Sequence, residues 1–165
     1  MNIQAESIAS KISSDQSDSG SWCIFVQVTE EVGLKLYHRR DLCEDTRALQ
    51  ELAYEAGVGP RAWGYFEMPF TEDMEGQEPR RWPTGVKHVF GYLTEIVDKV
   101  ELYDDDEEFG DLISQMQSHG FTARDTLPGY NVGYCRRTGK LLSLDWDMQF
   151  NNPFHDYTFQ VLPYE

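Results

Sequence analysis

The stretch from Asp41 to Ala56 restricts the fold more than any other part of the chain. Leu49, Leu52, Ala53 and Ala56 recur there at intervals of three and four residues, the spacing of one face of an α-helix. Gly57 stands where such a helix can be capped, and Pro60 stops any continuation. Apolar runs with strand character flank the helix on both sides. Trp22 to Val28 and Val32 to Tyr37 read as a hairpin before it, and Arg61 to Phe66 as a strand after it. Locally paired strands with a helix packed on them predict an α+β fold built on an antiparallel sheet.

Downstream, residues 67–85 carry proline, glycine and several charges and read as a long exposed loop. His88 to Val97 reads as a buried strand. The acidic run Asp104 to Glu108 opens a second helix over 106–119, because carboxylates suit the partial positive charge of a helix start. Phe109, Leu112, Ile113 and Met116 give this helix its apolar face, and Gly120 ends it. His119 reads as a cap at that end. A hairpin follows, Val132 to Cys135 and Leu141 to Trp146, with Gly139 in the turn. Tyr157 to Leu162 is one more strand candidate. The domain reading is a flexible N-terminal arm over 1–20, with a short helix over 3–12, and a single domain over 21–165. Cys135, Trp63, Trp82 and Trp146 read as packing residues.

Composition narrows the function classes. Aromatic residues make up 13% of the 165, too many for a disordered chain. Twenty-nine Asp and Glu face 14 Lys and Arg, a formal net charge of −15. Direct binding to nucleic acid is disfavoured, since it relies on Lys and Arg displacing counterions from phosphate. A protein partner with a basic surface is the electrostatic complement. Three scattered cysteines without a CxxC pair, and four scattered histidines, suggest neither a disulfide framework nor a transition-metal site. No apolar run approaches membrane-span length, and residues 1–20 lack the apolar stretch of a secretory signal. The expected setting is cytoplasmic, with no membrane partner.

Taken in order, several segments resemble the protein-kinase-like superfamily, in particular its aminoglycoside and choline phosphotransferase branch. VGLKLY (32–37) resembles the strand whose lysine holds nucleotide phosphates. RALQELAYEAGVGPRAWGYF (47–66) resembles the first-lobe helix and its exit into a strand. HVFGYLTEIVD (88–98) resembles the strand and hinge against which an adenine packs. SHGFTARDTLPGYNVGYCRRTGKLLSLDWD (118–147) resembles the catalytic loop and the hairpin after it. The resemblance implies a shortened, degenerate kinase-like fold, with a sheet and packed helix followed by a short helix–loop–hairpin region. It implies ATP and Mg²⁺ as cofactors. Lys35 would contact phosphate, Glu44 (with Asp45 and Glu51 as alternatives) would pair with it, and Thr94, Glu95 and Ile96 would lie near the base. Asp125 would be the catalytic aspartate, and Asn131 and Asp145 the metal ligands.

Each residue also has a plainer role. Lys35 fits the outward position of an alternating strand, Asp125 and Asn131 fit turns, and Asp145 and Asp147 fit an exposed strand face. The chain departs from the family pattern in several respects. Asp125 and Asn131 are one residue further apart, Asp147 replaces the usual glycine, and Gly20 stands alone where a glycine-rich loop is expected. About twenty residues follow Asp145, where the family builds its acceptor lobe. The expected function is therefore a pseudokinase-type, acidic protein-binding module. A minimal phosphotransferase using ATP and Mg²⁺ is one alternative, and an acidic mimic of nucleic acid is another.

Overall fold

The computed structural model describes residues 4–14, 17–19, 22–103, 105–121, 131–144 and 146. Over these residues it is an α+β protein with two antiparallel sheets. Contacts divide the chain into two compact units, one from residues up to 47 with 62–95, the other from 48–61 with residues from 96 onward.

The first unit is built on a five-stranded sheet. Its strands are β1 (Ser17–Ser19), β2 (Ile24–Gln27), β3 (Val32–Tyr37), β4 (Ala62–Pro69) and β5 (His88–Glu95), in the spatial order β1-β2-β3-β5-β4. β3 has the bounds expected from sequence. Two helices accompany the sheet, α1 (Ala5–Ser13) and the first half of α2 (Arg40–Glu55). One sheet face presents Ile24, Val26, Leu34, Leu36, Val89 and Leu93, and these pack with Ile8 and Ile12 of α1. Spaced four apart, the two isoleucines share one stripe of the helix, and burying each is worth about 2 kcal/mol. The segment read as an arm thus supplies two core side chains.

The connection from β4 to β5 differs from the expected exposed loop. A single 3-10 turn at Glu72–Met74 forms within it, and Phe70, Met74 and Trp82 are buried in the same cluster. The Trp82 indole donates to the Trp22 carbonyl at 2.7 Å and meets Phe70 edge-on at 5.8 Å. Polar composition marked the segment as a loop but concealed three anchors spaced along it.

The second unit contains the rest of α2, β6 (Val97–Val100), α3 (Glu107–Ser118), β7 (Val132–Cys135) and β8 (Leu141–Ser143), with strand order β6-β7-β8. Leu49, Ala53, Val58, Phe109, Leu112, Met116, Phe121 and Trp146 form its core. Cys135 is buried, as expected. The apolar stripe of α2 is not the one expected. Leu52 is 44% exposed, whereas the polar Thr46 and Gln50 are buried in line with Leu42, Leu49 and Ala53. Gln50 is accommodated because its amide donates to the Pro60 carbonyl at 3.1 Å. His119 caps α3, its imidazole 2.9 Å from the Gln115 carbonyl. Among the described residues no helix is long and apolar enough to cross a membrane.

Candidate functional site

Strand pairing decides which candidate residues share a surface. In an antiparallel ladder, directly opposed residues point to one face, as do residues two apart along a strand. Lys35 lies opposite Phe25 on β2 and Tyr92 on β5, while Gly33 lies opposite Gln27 and Thr94. Phe25, Gly33, Lys35, Tyr37, Tyr92 and Thr94 therefore share the sheet face opposite the one that packs on α1. Tyr37 and Tyr92 are buried and stack with centroids 6.1 Å apart. Thr94 is also buried, whereas Lys35 and Phe25 are half-buried. The shared face is thus closed around Tyr37, Tyr92 and Thr94, and it meets solvent at Phe25 and Lys35.

Glu95 ends β5 and is half-buried, as is Ile96, which opens the second unit. Of the acids offered as partners for Lys35, Glu44 and Asp45 are exposed on α2 and Glu51 is half-buried. Arg47 lies on the same flank of the helix as Glu44 and Glu51 and donates to the Gly64 carbonyl at 2.8 Å.

In the second unit, Asn131 immediately precedes β7 and is only 7% exposed. Its carbonyl accepts a hydrogen bond from the Leu144 amide at 2.9 Å, continuing the β7–β8 pairing by one step. Asp145 lies outside the described residues, as does Asp125. The end of the hairpin is held by Trp146, whose indole donates to the Ser143 carbonyl at 2.9 Å and meets Phe121 edge-on at 5.2 Å. Among the described residues, no three His, Cys, Asp or Glu side chains gather into a metal-holding group.

The same unit carries the densest charge. Residues 101–111 contain seven acids, and no Lys or Arg occurs from 100 to 121. Asp106 caps α3, its carboxylate accepting from the Glu108 amide at 3.1 Å. The Tyr134 hydroxyl donates to Glu108 at 2.7 Å, and this bond to a carboxylate holds the phenol above its ordinary pKa. Tyr103 stands among these acids with 68% of its surface exposed.

Sequence reasoning passed over Phe25. It belongs to the Lys35 surface because the β2–β3 register sets it opposite that lysine. An aromatic residue in the first strand of a tight hairpin, with Gly33 in the second, was the available signal. No protein-family model matches this chain, and no curated protein matches it either.

Proposed function

We propose that this chain is a reduced kinase-like module that docks on a protein with a basic surface and does not transfer phosphate by itself. The strand order, with a helix joining β3 to β4 and Lys35 within the sheet, supports the kinase-like part of the reading. The binding part is carried by one observation, the exposed Tyr103 within a stretch, 101–111, that holds seven acids and no Lys or Arg. A large amphipathic side chain can anchor in a partner's pocket while surrounding charge steers approach and selects a basic rim.

The test uses a defined Lys- and Arg-rich peptide, with binding read by fluorescence anisotropy. The combined variant Glu101→Gln, Glu107→Gln, Asp111→Asn should weaken binding by about tenfold. A control with the same charge change elsewhere, Glu72→Gln, Asp73→Asn, Glu75→Gln, should weaken it far less. Equal losses in the two variants would mean that only bulk charge is at work and would sink the reading.

A second reading is favoured by the Asn131–Leu144 hydrogen bond. That bond supports the hairpin on which Asn131 and Asp145 would hold Mg²⁺. ATP with Mg²⁺ at about 100 times its dissociation constant would then raise stability by roughly 2.7 kcal/mol. A thermal shift of that kind, abolished by Asp145→Ala, would put nucleotide at this hairpin and make a search for a phosphate acceptor worthwhile.

A further inference from the structure

Phe25 does more than share the Lys35 face. Its ring leans diagonally from β2 over Gly33, two residues before Lys35 on β3. A methyl group added at Gly33 would overlap two carbons of that ring, so the phenyl occupies the space that the missing side chain leaves. Covering a strand glycine with a cross-strand aromatic is a known way to stabilise a sheet. Here the covered spot is also where the face meets solvent, since Tyr37, Tyr92 and Thr94 are buried while Phe25 and Lys35 are half-buried.

Glycine allows a flat ring to lie close against backbone. A lysine two residues along the same face supplies a point charge for an anionic substituent. The bed at Gly33 therefore suits a planar heteroaromatic ring bearing negative charge, which is the chemistry of a nucleotide. Phe25 already lies in that bed. We propose that Phe25 is an internal occupant of a nucleotide-class site on the Lys35 face, and that its ring must turn out before such a ligand can lie on Gly33. The inference rests on the reading of Lys35 as an anion-contacting residue, and it gives a physical reason why a kinase-like module would be silent.

The experiment measures binding of a fluorescent ATP analogue without metal, so that Asn131 and Asp145 do not enter the result. Phe25→Val removes the ring and puts a β-branched, strand-compatible side chain in its place. It should bind the analogue at least about tenfold more tightly than the native chain. Adding Lys35→Met or Gly33→Leu to Phe25→Val should remove the gain, the first by deleting the charge and the second by refilling the bed. Circular dichroism and a cooperative melt establish that each variant is folded, with Phe25→Ile as a second ring-free variant should Phe25→Val melt early. A folded ring-free variant without gain would overturn the proposal. So would a native chain that binds as tightly as the variant, or a gain that survives Gly33→Leu. Binding of the basic peptide is measured on the same samples. If it stays intact while the Phe25 variants gain nothing, the internal occupant is wrong and the docking reading stands. If peptide binding is insensitive to residues 101–111 while Phe25→Val gains nucleotide, the reverse holds.

Discussion

His38 follows the last residue of β3, with its ring 5.7 Å from that of Trp82 and its Nδ1 buried without a hydrogen bond. Burial lowers its pKa below the ordinary histidine value, and neighbouring Arg39 lowers it further, while Asp41 pulls the other way. Folding therefore favours the neutral ring. The unfolded chain takes up a proton near the ordinary value of about 6.5. The stabilising contribution of His38 is fully present above that pH and is lost as pH falls toward the lowered folded value. Melting temperatures of the native chain and of His38→Gln, measured from about pH 7.5 to about pH 5, isolate this effect because the carboxylates are common to both. The native chain should lose its margin over the variant as the solution is acidified. A constant margin would show that ring burial does not govern this histidine. Trp82 would feel the change directly, and its indole tethers the β4–β5 connection to Trp22.

At the level of elements, α2 separates what pattern reveals from what packing decides. Leu49 and Leu52 look alike on a three- and four-residue count, yet Leu49 is 5% exposed and Leu52 is 44% exposed. Leu49→Ala should cost about 2–5 kcal/mol in urea unfolding, and Leu52→Ala within about 0.5 kcal/mol. Ile12→Ala on α1 should cost as much as Leu49→Ala, because Ile12 is fully buried. Equal effects at Leu49 and Leu52 would show that the stripe, and not the burial found here, describes the helix. β3 and β7 were legible to the residue because alternation and hairpin turns are local signals. Ile8, Ile12, Phe70, Met74 and Trp82 were not, because their burial depends on partners far away in sequence. The candidate site divides in the same way. Lys35 and Thr94 could be picked out from their segments, but their common face follows from a β3–β5 pairing that spans more than fifty residues. The role of Phe25 follows from that register and from Gly33 together, and neither residue reveals it alone.

Across the whole molecule, a net charge of −15 acts on stability and on recognition in opposite senses. Like charges repel in the folded state, and the exposed pairs Arg40–Glu67 and Arg136–Asp98 offset little of this, since surface ion pairs contribute at most about 1 kcal/mol each. Raising sodium chloride from about 10 mM to about 150 mM shortens the screening length from about 30 Å to about 8 Å. Self-repulsion is damped, so the melting temperature should rise over this range, most steeply at its low end. The same screening weakens attraction between the surface over 101–111 and a basic partner, so peptide affinity should fall over the same range. If both quantities moved together, a shared cause such as specific anion or cation binding would be at work, and the docking reading would lose its electrostatic basis. Opposite movement, with the Glu101, Glu107 and Asp111 variant showing the smaller fall in affinity, would tie recognition to that surface and repulsion to the molecule as a whole.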